Sequence, residues 1–158
     1  MSDPTLILLA NEVRGKTLRL IEPLSEADAQ FKPPGLNNSI LWNAGHALVV
    51  VEHLSVAPLY NAQLSYPQGY FETFSWKSDP STVKSWPTLA EVRQKLTEQL
   101  QKLVAGLEQT DEKRMQEIID AQRNRTLRWS ILHGLHDEAG HQGEIWLLRK
   151  MLAKGFRG

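Results

Sequence analysis

Apolar residues recur at helical spacing in four long stretches of the chain, and nowhere alternate over the length of a strand. Leu6, Leu9, Val13 and Leu20 form one stripe, predicting a first helix from about Pro4 to Glu22. Asp3 can cap it, and Pro4 suits its first position. Ser25 and Asp28 are spaced as a capping box for a short turn or helix, and Pro33, Pro34 and Gly35 break the chain into a loop over 31–39. The second helix runs from near Ser39 through ILWNAGHALVVVEHLSVA to about Ala57, with Asn38 or Ser39 as cap and Pro58 as its end. The third starts at the capping box of Thr88 and Glu91. It carries Leu89, Val92, Leu96, Leu100, Leu103 and Leu107 on one face and ends near Gly106. The fourth runs from near Thr126 to about Lys154, with apolar positions at Leu132, Leu135, Ala139, Leu148 and Leu152 and Gly155 as its stop.

The connections differ in kind. Residues 108–125 are polar and read as a linker with one helical turn. Residues 58–87 hold four prolines, three tyrosines and two tryptophans without a sustained period. A connection that long inside a compact domain is usually functional or disordered, and its aromatic content argues for order. It reads as a crossover packed on the bundle. The pattern predicts an all-α four-helix bundle, a single domain over 1–158, with one long aromatic-rich crossover between helices 2 and 3.

Composition narrows the function. Eighteen basic and eighteen acidic residues leave no formal net charge, so nothing electrostatic favours nucleic acid or an anionic membrane. The chain has no cysteine, which excludes disulfides, thiolate metal sites and a cysteine nucleophile. The N-terminal stretch lacks the basic flank and long apolar run of a signal peptide, and no run approaches the ~18 apolar residues of a membrane span. A cytoplasmic protein is expected.

The chemistry is concentrated in HGLHDEAGHQGEIW (133–146), which holds three histidines and three carboxylates. On a regular helix, measured from His141, Asp137 lies ~40° away, Glu144 ~60° and His133 ~80°, whereas His136 lies ~140° away and points elsewhere. His133 and His141 are ~12 Å apart along the axis, too far for one ion. The pairs able to share an ion are therefore Asp137/His141, His133/Asp137 and His141/Glu144. Further ligands must come from a facing helix, and the second offers His46, in the most apolar part of the chain, and His53 near the helix end. Burial would keep His46 neutral, the form that binds metals. His46 with Asp137 and His141 makes a two-histidine, one-carboxylate set suited to Zn, Ni, Mn or Fe(II). The competing reading of the same residues is an i,i+4 helix pair beside a satisfied core histidine.

The stretches NSILWNAGH (38–46) and HGLHDEAGHQGEIWLLRKM (133–151) together resemble the DinB-like (DinB/YfiT) superfamily. Its members carry N-S-hydrophobic-x-W-hydrophobic-x-G-H on the second helix and H-x-x-x-H-x-G-[QE]-[IVL] on the fourth. The resemblance extends to length, helix order and the aromatic crossover. It implies a bundle in up-down-down-up order with a divalent metal held by one residue of the second helix and two, four apart, of the fourth. Position by position, His46 and His141 take two of these places. The third falls on Asp137, where the family commonly has histidine, and a carboxylate there shifts the preferred metal toward Mn or Fe(II).

The resemblance further implies a metal-dependent transferase or hydrolase that acts on a small-molecule substrate, with a low-molecular-weight thiol as cosubstrate. Glu144, one turn from His141, is then the candidate catalytic residue, orienting a ligand or acting as base. His133 is either a hydrogen-bond donor to Asp137 or a bundle-lining residue. Trp42 and Trp146 lie beside the candidate ligands. Trp76, Trp86, Tyr66 and Tyr70 are placed to cover the site or a homodimer face. The alternative is a non-catalytic small-ligand-binding or stress-response bundle in which the metal site is weakened or lost.

Overall fold

A computed structural model of the chain describes residues 3–156. Helix α1 spans Pro4–Ile21, and the Asp3 carboxylate accepts from the backbone N–H of Thr5 and Leu6. Helix α2 (Glu26–Ala29) opens with the Ser25/Asp28 capping box. Helix α3 (Ile40–Val51) is capped by Ser39. It leads through a π-helical turn, Glu52–Val56, into α4 (Ala57–Tyr60). The crossover carries α5 (Tyr70–Phe74) and a 3₁₀ turn, Pro80–Thr82. Helix α6 (Leu89–Gln109) starts at the Thr88/Glu91 capping box, and α7 (Glu112–Met115) is a single turn. Strands β1 (Ile118–Asp120) and β2 (Arg125–Thr126) pair antiparallel. Helix α8 (Leu127–Ala153) closes the fold.

The four long helices pack as a bundle, α1 against α6 and α8, α3 against α8 and α6. Their core is two apolar clusters with a polar layer between. One cluster gathers Leu20, Ile21, Ile40, Leu41, Leu89, Val92, Leu96, Ile145 and Leu148. The other gathers Leu6, Ala10, Val51, Leu103, Leu107, Leu127, Ile131 and Leu135. Thus α1 and α8 run from the second cluster toward the first, and α3 and α6 the other way. The buried polar side chains Arg14, Thr17, Gln99, Glu138 and Gln142 fall between the two.

The structure departs from the periodicity in four places. The second long helix does not stop at Pro58 but widens at Glu52–Val56, where the Ala57 N–H reaches Glu52 O, and continues to Tyr60. Proline has no N–H for the carbonyl of Leu54, and Ser130 Oγ donates to that carbonyl instead at 2.6 Å. Between α7 and α8 stands a β-ribbon where a polar linker was expected, its strands too short to show an alternating period. On α8 the expected apolar positions Leu132 and Ala139 are exposed, while Glu138 and Gln142 are buried. Hydrophobicity misplaces this face because buried carboxylate and amide side chains occupy it. Finally, Ile40–Tyr60 is long and apolar enough to cross a membrane, with a mean hydropathy of 1.3, yet 89% of the window is buried within the bundle. It is the core helix.

Candidate metal centre

His46 is buried on α3 and faces α8. Its neighbour Gly45 admits the crossover: a Cβ there would lie 2.4 Å from two ring atoms of Phe74. The fully buried Phe74 ring therefore seats against bare backbone, where its burial contributes about 1.5–3 kcal/mol. Its carbonyl is thereby brought 2.6 Å from His46 Nδ1. From α8, Asp137 and His141 project one turn apart toward the same point. Trp42 stacks on His46 at 4.6 Å and meets His141 edge-on at 5.9 Å. The Trp42 Nε1–H donates to Ser78 Oγ, tying the crossover to the site wall.

The hydrogen bonds fix where the imidazole protons sit. His46 Nδ1–H donates to Phe74 O. His141 Nδ1–H donates to Asn43 Oδ1 at 2.6 Å, and Asn43 in turn donates from Nδ2 to Ser39 O, which holds its carbonyl oxygen toward His141. In the neutral form, both rings therefore turn a bare Nε2 inward. Those nitrogens stand 3.6 Å (His46) and 3.7 Å (His141) from Asp137 Oδ2, and one ligand atom from each of the three residues lies within 4.8 Å of the others. Burial pushes the His46 pKa below its ordinary value. The Phe74 carbonyl opposes that shift, and the neighbouring His141 adds to it. With His46 neutral, no proton lies between its Nε2 and Asp137. Asp137 Oδ2 is buried and has no hydrogen-bond partner.

Three electron-pair donors thus converge on one point with nothing supplied to satisfy them, which is the condition a cation relieves. Donor atoms of a tetrahedral zinc site stand about 3.3 Å apart. The observed separations exceed that by a few tenths of an ångström on two edges, within side-chain adjustment. The Nδ1 partners are the outer hydrogen bonds that orient metal-binding imidazoles. The residues fit a divalent ion.

Glu144 is half exposed, with Oε2 4.0 Å from His141 Nδ1, on the side of the ring turned toward Asn43 and away from Asp137. Beyond it a cavity of about 460 Å³ lies between the loop at Gly35–Asn38 and α8, walled by Leu36, Leu147 and Leu148.

Several sequence-stretch residues lie elsewhere. His133 is exposed and stacks on Trp129 at 4.6 Å, so it does not donate to Asp137 as considered from the sequence. His136 is exposed beside it. His53 sits half-buried among Tyr66, Phe71 and Trp76, and burial lowers its pKa. These crossover aromatics cover His53, not the triad. Trp146 is exposed under Lys150. Sequence reasoning missed Asn43 and the Phe74 carbonyl. Asn43 was findable, three residues before His46 on the same helical face, but a backbone carbonyl from a crossover carries no sequence signal.

Fold and site together define a four-helix bundle with a His/Asp/His group able to hold a metal ion between its second and fourth long helices. The sequence profile of the DinB superfamily matches residues 9–145, and the chain belongs to that superfamily. A solved structure described as the conserved protein of locus from Enterococcus faecalis is similar over 98% of this chain and 99% of its own. The TM-score is 0.79 at 14% identity, a likeness of fold alone. No curated protein matches the chain.

Proposed function

We propose that this protein is a divalent-metal-dependent enzyme acting on a small molecule, as a transferase or hydrolase, with His46, Asp137 and His141 as the metal ligands. The observation that carries the reading is the buried, unpartnered Asp137 Oδ2 facing the Nε2 atoms of His46 and His141. A divalent ion held by these residues would supply Lewis acidity, lowering the pKa of a thiol or water at the site. The metal is Zn, Ni, Mn or Fe(II), the range that two imidazoles and one carboxylate accommodate. Phe74 O and Asn43 hold the two rings in the ligating tautomer, and Trp42 keeps solvent from the His46 face. Glu144, whose Oε2 stands 4.0 Å from His141 Nδ1, is a further carboxylate beside the site for orienting a ligand or for proton transfer. Any thiol is a low-molecular-weight cosubstrate, because the chain contributes no cysteine.

The test is metal content in protein purified without chelator and without a histidine tag. Stoichiometric divalent ion, or its uptake on reconstitution, supports the reading; neither in wild type, together with unchanged metal content in His46→Ala, sinks it. A second reading, a non-catalytic ligand-binding bundle, rests on aspartate standing at 137 where relatives commonly carry histidine. For that reading His46→Ala costs stability alone, since Phe74 O loses its donor.

A further inference from the structure

We infer that Arg14 is a positioning residue for the triad, acting through Glu138 and Gln99 to set how the two ligand-bearing helices face each other. The inference rests on the metal reading above. On α8, each site residue is followed by one that is tied away from the site: Asp137 by Glu138, His141 by Gln142. The buried Arg14 guanidinium on α1 donates from Nε to Glu138 Oε1 at 2.8 Å and from Nη2 to Oε2 at 2.9 Å. Thr17 Oγ1 donates to the same Oε1 at 2.6 Å. One turn on, Gln142 Nε2 donates to Thr17 Oγ1 at 2.9 Å and to Val13 O.

The guanidinium also reaches the other ligand helix. Its Nη2 donates to Gln99 Oε1 at 2.9 Å, and Gln99 Nε2 donates to Leu48 O and Glu52 Oε2, both at 3.0 Å. Leu48 lies two residues beyond His46. Arg14 therefore touches α8 directly and α3 through one amide, while its Nη1 is held by Leu96 O on α6.

The geometry needs such a device. Ligand atoms stand roughly 6 Å from their helix axis, so a roll of ~20° displaces them by ~2 Å. Side-chain adjustment absorbs a few tenths of an ångström, equivalent to a roll of only about 3–5°. The buried Leu127, Ile131, Leu135, Ile145 and Leu148 set the roll of α8 toward its two ends, but between Leu135 and Ile145, the stretch that carries Asp137 and His141, the buried side chains are Glu138 and Gln142. A bidentate guanidinium–carboxylate pair is directional where apolar contacts are not.

The test compares wild type with Arg14→Met/Glu138→Leu, an apolar replacement of the kind that often leaves stability unchanged, and with Gln99→Met, which cuts only the link from Arg14 to α3. Co(II) affinity by chelator competition and the denaturation midpoint of the metal-free protein are measured on each. Affinity falling about 10–100-fold in a variant whose midpoint is kept supports the inference. Affinity within twofold of wild type in every folded variant overturns it. If wild type itself takes up no Co(II), the metal reading fails, and a crystal structure of Gln99→Met decides the positioning claim. A triad spread beyond the 4.8 Å of wild type supports it, and an unchanged triad overturns it.

Discussion

Asn43 Oδ1 lies 2.6 Å from Nδ1 of His141, so a residue of α3 decides which nitrogen of an α8 imidazole faces the metal site. His46 receives the same treatment from the Phe74 carbonyl at the same distance. Neither partner is itself a ligand, yet together they set both tautomers.

Asn43→Ala is expected to lower metal affinity about 10–100-fold by freeing the His141 tautomer and ring orientation. It also leaves the part-buried His141 Nδ1–H unpaired, at about 1 kcal/mol, the low end of that penalty. Isothermal titration and urea denaturation read the two losses separately. Affinity equal to wild type would show that Asn43 does not orient the ligand.

Asp137→Asn separates binding from stability. An amide in place of the unpartnered Oδ2 can donate to a bare Nε2, so the metal-free protein gains stability while metal affinity falls. A simultaneous fall in both, seen by melting with and without Zn(II), would contradict the account of Oδ2 as an unmet acceptor.

Gly45→Ala places a methyl 2.4 Å from the Phe74 ring. The ring has no room to retreat inside a closed cluster, so a loss of about 1–3 kcal/mol is expected. Because the Phe74 carbonyl moves with its ring, the His46 environment shifts as well. An imidazole NMR resonance of His46 unchanged in the variant would argue against that coupling.

Lowering the pH destabilises the metal-free protein. Unfolded, His46 takes up a proton near its ordinary value of 6.5, whereas folded it resists until the pH is lower. Between those values the unfolded state binds more protons, so stability is full above about pH 6.5 and declines as pH falls toward the folded pKa. His53, lowered by burial, adds a loss of the same sign. Glu91 and Asp79 are held low by hydrogen bonds and contribute only at more acidic pH, below their ordinary 4.5 and 3.8. Urea midpoints at pH 7.5 and 5.5 check the sign; a midpoint equal or higher at pH 5.5 refutes it.

Glu144→Gln should leave metal affinity within about threefold, because its carboxylate faces Nδ1 of His141 rather than the inward Nε2. A larger loss on titration would mean that Glu144 swings in to ligate.

The helices and caps were legible because their signals are local: Asp3, Ser25, Ser39, Thr88 and Thr126 all cap as their neighbours imply. The convergence of His46, Asp137 and His141 was legible because helix rotation fixes it. What stayed hidden depends on contacts far apart in sequence. Arg14 and Glu138 are separated by 124 positions, and their burial follows from pairing, which composition does not reveal. Arg14 did leave a trace, standing one turn beyond Ala10 on the buried face of α1. The widened turn after Val51 had no trace beyond Pro58.

That widened turn behaves as one residue swallowed by a helix. Each residue advances a regular helix by ~100°, but the wide turn takes up one residue without that advance, so removing one between Glu52 and Val56 would rewind the segment to regular pitch with Leu59 and Tyr60 still on α6 and His46 upstream unmoved. The turn is a clutch between two halves of one rod. The half bearing His46 keeps phase with α8, and the half bearing Leu59 keeps phase with Gly106 of α6, where Leu59 and Tyr60 fill the space a side chain would take.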